Sequence, residues 1–133
     1  MTWPVSRGKR RCDDRGALTL SYVAILPFVF LLVMTMIQAS LWYLARNAAL
    51  AAARQGADAA RAFGASSAVG PAAALAFVRQ AGAGYLEDPV ASEAGSTTTT
   101  VSITVSGRVP SFVPYLVFSV SETVQAPVEG FRA

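Results

Sequence analysis

The sequence predicts an α+β chain: a long N-terminal transmembrane helix that continues into an Ala-rich helix, a second short helix, and a small antiparallel sheet or hairpin at the C-terminus. Three observations carry that prediction. Ala17 to Tyr43 contains no Asp, Glu, Lys, Arg or His. Leu44 to Gly64 is dominated by Ala and has no Pro. From Thr97 onward apolar residues recur at every second position, the period of a half-buried strand. The expected organisation is a basic leader over 1–16, a membrane span over 17–43 and a small extracytoplasmic module over 44–133.

The span comes first because it constrains the rest. At the helical rise, Ala17 to Tyr43 extends roughly 40 Å, more than the roughly 30 Å hydrocarbon core of a bilayer. Its Leu, Ile, Val and Phe side chains together favour insertion by on the order of 5 kcal/mol, and no charge opposes them. Pro27 leaves the Val23 carbonyl without its helical donor and is expected to kink or loosen the helix. Thr19, Ser21, Thr35, Gln38 and Ser40 are uncharged and can bond to nearby backbone or to a partner helix. Gln38 is the costliest of these in lipid; Trp42 and Tyr43 follow it closely, which points to the interface level, where such rings concentrate.

A cleaved secretory signal is the competing reading of this stretch. A signal's apolar region runs about 7 to 15 residues and ends in a small-x-small site, whereas this run is longer and Ile37-Gln38-Ala39 is a poor site. The flanking charge sets the orientation. The net charge of +3 resides in the leader, where Arg7, Lys9, Arg10, Arg11 and Arg15 stand against Asp13 and Asp14; after the span six arginines balance six carboxylates. The positive-inside rule then puts the leader in the cytoplasm and the remainder outside. Topology accounts for the basic cluster without nucleic acid, and none is expected as a partner. The only cysteine, Cys12, lies in that leader, so the module has no disulfide of its own.

Beyond the span, Arg46, Leu50, Arg54, Asp58 and Arg61 fall on one helical face, with Arg54 and Asp58 spaced for an i,i+4 pair. Ala45, Ala48, Ala49, Ala52, Ala53, Ala59 and Ala60 make a small-residue face that a helix or sheet can approach closely. Gly56 is expected to weaken the helix by about 1 kcal/mol relative to Ala, and Gly64 to end it. After a small-residue linker, Pro71 suits the first turn of a second helix reaching Gln80 or Ala81, with Leu75, Val78 and Phe77 as its apolar side and Gly82 and Gly84 closing it. Glu87-Asp88-Pro89 is expected as a turn.

In Thr97 to Val109, Val101, Ile103 and Val105 alternate with Ser and Thr; Thr97 to Thr100 is either the strand's lead-in or a threonine-rich loop, and Gly107-Arg108 a bulge or an end. Pro110 and Pro114 make the next segment a connection. Phe118, Val120 and Val124 then mark a second strand that Pro127 ends. A further strand near Val90 would complete a sheet; without it there is a hairpin covered by a helix.

Chemistry is sparse. With no His and one Cys, neither a nucleophilic triad nor a nitrogen-sulfur metal site can be built from this chain, and no glycine-rich phosphate loop occurs. Adjacent carboxylates such as Glu87 and Asp88 point apart in a turn, and Tyr85 and Tyr115 are better explained as rings buried beside a small core than as ligand contacts. The expectation is no enzyme, no catalytic residue, no metal and no cofactor.

Arg15-Gly16-Ala17-Leu18-Thr19-Leu20-Ser21-Tyr22, followed by Ile25-Leu26-Pro27, resembles the N-terminus of TadE-like proteins, pseudopilins of the bacterial tight-adherence pilus system. The Ala-Ala-Arg-Gln-Gly-Ala stretch and the Thr/Ser/Val strands ending in Ala126-Pro127-Val128-Glu129 extend the likeness. The resemblance implies a prepilin peptidase cutting between Gly16 and Ala17, an assembly helix that includes Ser21, Tyr22 and Pro27, and other pseudopilins or pilus-assembly proteins as partners. It also implies a bacterial cell-membrane location. The family typically has Glu at the fifth mature residue, able to pair with a neighbour's N-terminal amine in a low dielectric; here Ser21 occupies it. That departure favours a membrane-resident minor pilin or assembly factor over an ordinary filament subunit. The alternative is a generic signal-anchored binding module unrelated to pili.

Overall fold

The computed structural model describes residues 1–2, 14–62 and 65–130. The leader cations Arg7, Lys9, Arg10 and Arg11, with Cys12 and the expected stop at Gly64, lie outside the described residues. Two compact units are present, Met1–Thr35 and Met36–Ala133. The elements are α1 (Asp14–Ala60), α2 (Val69–Phe77) with a π-helical turn over Val78–Gly82, and strands β1 (Glu87–Ser92), β2 (Thr100–Val109) and β3 (Phe118–Pro127). The class is α+β, as the pattern of periods predicts.

Helix α1 starts at Asp14, inside the stretch expected as leader, and contains Pro27 without interruption of the assigned helix. From Leu44 onward its buried positions are small: Ala45, Ala49, Ala52, Ala53, Gly56, Ala57 and Ala60. The expected face is therefore present, shifted by one residue so that Ala57 joins it and Ala48 and Ala59 lie at its border. Helix α2 meets it with Gly70, Ala74 and Val78, a strict i,i+4 row. Of the expected apolar side, Val78 is buried and Phe77 packs against the core, while Leu75 is only half-buried and Ala74 and Gly70 complete the row.

The reason is a close crossing of backbones. A Cβ on Gly56 would lie 2.7 Å from the Gly70 carbonyl oxygen, 3.0 Å from the Ala74 Cβ and 3.1 Å from the Ile103 Cγ2. Gly56 is thus not a weak point in an isolated helix, as propensity alone implies, but the position at which α2 and β2 reach α1. Ile103, Val78 and Val105 are the largest fully buried side chains, and alanines fill much of the remaining core.

The sheet is antiparallel in the order β1-β2-β3. Strand β1 realises the further strand near Val90, and Glu87-Asp88-Pro89 is its beginning rather than a free turn. The register shifts between Glu87↔Arg108 and Val90↔Ser106, a bulge that takes up Asp88, at φ 46°, and Pro89 on an edge strand where no inner ladder is lost. Gly107 neither bulges nor ends β2; it pairs with Val120, and its bare Cα leaves room for Leu86, whose Cγ would lie 2.5 Å from a Cβ there.

Thr97 to Thr99 form a loop: the Thr97 N–H donates to the Thr100 carbonyl at 2.7 Å, and the Thr100 N–H to Thr97 Oγ1 at 3.1 Å. After β3 the chain returns to the end of α1, where the Glu129 N–H donates to the Arg61 carbonyl at 3.1 Å, satisfying a helix-end acceptor. Asp58 pairs with Arg61 at 3.2 Å, not with Arg54 as the spacing implied.

Gly56→Ala separates propensity from packing. Helix propensity alone predicts a gain of about 1 kcal/mol; overpacking against a backbone carbonyl costs about 1–3 kcal/mol, so the expected net effect is a loss of up to about 2 kcal/mol. Urea unfolding of the full chain in detergent, followed by circular dichroism, reads the sign.

Candidate membrane-assembly site

In the first unit the helix surface is apolar and outward. From Thr19 onward α1 is long and apolar enough to be a candidate membrane span, and none of its most apolar window is buried. Leu20, Tyr22, Leu26 and Phe28 all stand largely exposed. Thr35 Oγ1 is bonded within the helix, donating to the Leu31 carbonyl at 2.8 Å, which lowers its cost in hydrocarbon. Around Pro27 the surface is dished, lined by Leu26, Val29, Phe30, Val33 and Met34 besides the proline. Ser21, Tyr22 and Pro27 are all exposed, and Gly16 and Ala17 lie in the first turn of the helix.

In the second unit one stripe of α1 carries the polar contacts of the module, at successive i,i+4 steps. Gln38, 8% exposed, grips the β2–β3 connection with both ends of its amide. Its Nε2 donates to the Pro110 carbonyl at 3.1 Å, and its Oε1 accepts the Phe112 N–H at 3.3 Å. A glutamine suits this task because one planar group offers a donor and an acceptor to two backbone groups that no strand partner satisfies. Four residues on, Trp42 lies under Arg46, whose Cζ is 5.6 Å from the ring centroid. Arg46 Nε in turn donates to Glu122 Oε1 at 2.7 Å.

Glu122 is paired with Val105 in the β2–β3 ladder, and so lies on the helix-facing side of the sheet with Val120 and Val124. The alternation of β3 is thus interrupted by a charge, and Arg46 answers it. Sequence reasoning missed both contacts. The signals were there: a carboxylate at an inward strand position needs a cation, and a glutamine at the end of a span needs two partners. Neither signal says which residue supplies them.

The tyrosines depart from expectation. Tyr85 is 40% exposed and Tyr115 entirely so, and neither ring is buried beside the core. Asp88 is bonded to Arg108 across the β1–β2 edge, so the adjacent carboxylates Glu87 and Asp88 serve the strand pairing. Among the described residues no cluster of His, Cys, Asp and Glu is placed to hold a metal ion.

With the helix and its contacts in place, the comparison with known families is decisive for one segment. Residues 16–58 match the TadE-like protein family. The match begins at Gly16 and ends within two residues of the end of α1, so it covers most of that helix and leaves α2 and the sheet outside it. No curated protein and no solved structure matches the chain.

Replacing Gln38 by Leu keeps the size of the side chain and removes both bonds. Leaving the Phe112 N–H and Pro110 carbonyl unpartnered costs about 1–3 kcal/mol. Hydrogen exchange at the Phe112 amide is expected to speed up by about tenfold or more, while amides in the middle of β2 keep their protection.

Proposed function

We propose that this chain is a single-pass, membrane-anchored component of a tight-adherence pilus or related secretion system in the bacterial envelope, acting by helix-mediated assembly and not by catalysis. The observation that carries this reading is the TadE-like match over residues 16–58, which coincides with the candidate span and the small-residue face of one helix. The leader's surplus of cations supports a cytoplasmic N-terminus and an extracytoplasmic module.

In this reading a prepilin peptidase cuts between Gly16 and Ala17, and the mature helix meets other pseudopilins or assembly proteins through Ser21, Tyr22 and the dished surface at Pro27. A proline that frees the Val23 carbonyl makes a natural contact point, since a partner's hydroxyl or amide can satisfy that acceptor in lipid. Ser21 can bond to a neighbour's N-terminal amine but cannot neutralise it. This favours a minor pseudopilin or an assembly factor that stays in the membrane.

The same Ser21 supports a second reading, a signal-anchored binding module of the envelope with an uncut leader. Intact mass and N-terminal sequencing of the protein from its host's membranes separate the two. A start at Ala17, lost when Gly16 is changed to Leu or when the prepilin peptidase is deleted, is the expected result. A start at Met1 or Thr2 in every background sinks the processing step and leaves the signal-anchored module.

A further inference from the structure

The β2–β3 connection is the least water-adapted part of the second unit. From Pro110 through Ser121 it carries no charged residue. Phe112, Val113, Tyr115, Leu116 and Val117 are exposed apolar or aromatic residues on consecutive turns of this segment, at 39% to 102% of full exposure. Neighbouring charges are already matched, Arg108 by Asp88 and Glu122 by Arg46.

Two further observations say what covers it. The first is its attachment: Gln38 fixes Pro110 and Phe112 to α1 four residues before Trp42, and Trp42 and Tyr43 are themselves exposed. About 20 residues of helix cross the hydrocarbon, so a span that opens at Ala17, the first residue of the charge-free stretch, leaves it near Gln38, where aromatic rings gather at the headgroups. The residue of α1 to which the loop is tied therefore stands close in sequence to the end of the span. The second is the turn at its tip. The Leu116 N–H donates to the Val113 carbonyl, with Pro114 and Tyr115 between them and Tyr115 at φ 69°. That is a type II turn, whose third position favours glycine. A tyrosine there, wholly exposed, is held in an unfavourable backbone region without burial of its ring.

We propose that the 110–117 loop is a second membrane contact, with Tyr115 and Phe112 entering the outer headgroup layer of the bilayer that α1 spans. The inference rests on the membrane-anchor reading above. Tyr is suited to that layer because its ring is apolar and its hydroxyl stays hydrated. With one helix alone the module is free to swivel about the helix axis; a clasped loop resting on the surface selects one rotation and so decides which face is offered to partners.

The test uses the full chain with Cys12→Ser, reconstituted in vesicles of phosphatidylethanolamine and phosphatidylglycerol and labelled with an environment-sensitive fluorophore at Tyr115→Cys, Val29→Cys or Ser67→Cys. The label at 115 is expected to shift to the blue and lose fluorescence to headgroup-level nitroxide lipids. The label at 67 should respond only to aqueous iodide. Iodide access at 115 with deep-nitroxide quenching at 29 overturns the loop contact and leaves the anchor standing; iodide access at both overturns the anchor itself. A label at 115 shielded from iodide and from lipid nitroxides alike means that protein, such as a second copy, covers the loop, and also overturns the proposal. High salt should leave the 115 signal unchanged, since no charge takes part.

Discussion

The module depends on one close approach, the crossing of α1 and α2 at Gly56 and Gly70. Because neither position carries a side chain, the Gly70 carbonyl comes to within 2.7 Å of where a Cβ would stand on Gly56, and Ile103 of β2 fills the angle between the helices. A core with so few large side chains cannot rely on the burial of many leucines or phenylalanines. Its cohesion comes instead from short distances between backbones, where many weak contacts add. The alanine face from Ala45 to Ala60 is the same solution repeated along α1.

That face also explains how one helix serves two surroundings. Between Leu20 and Val33 most side chains of α1 are large, apolar and exposed; after Leu44 the buried ones are almost all alanine. Around the change stand Gln38, which binds the β2–β3 connection, and Arg46, which lies over Trp42 and binds β3. Large apolar groups suit lipid, small ones suit a sheet, and the amide and guanidinium mark the change from one to the other. The TadE-like match follows the helix through this change and ends two residues before it does, leaving α2 and the sheet outside the match.

The architecture was legible in the sequence wherever a period ran uninterrupted. The charge-free stretch, the alanine run and the alternation of Val101, Ile103 and Val105 each declare their element. What escaped was set by tertiary partners. Propensity makes Gly56 a defect, and only the presence of α2 makes it a requirement. Spacing pairs Asp58 with Arg54, but the tail brings Glu129 to the same helix end and Asp58 bonds Arg61 instead. Glu87-Asp88-Pro89 has the composition of a turn, yet β2 offers it a bulged edge to pair with. Gln38 and Glu122 are single polar residues in apolar patterns, and their partners lie more than 70 residues away. Tyr115 looked like a core ring because nothing in a sequence reports the handedness of a turn.

The most direct test of the proposed anchor and of the side on which the module lies is performed in the host cell. In a Cys12→Ser background, Ser67→Cys is exposed to a membrane-impermeant maleimide in intact spheroplasts, and the membranes are then washed at alkaline pH. The account predicts that the protein stays with the membrane pellet and that Ser67→Cys is labelled without lysis. Release into the wash, or labelling only after the membrane is opened, would contradict it.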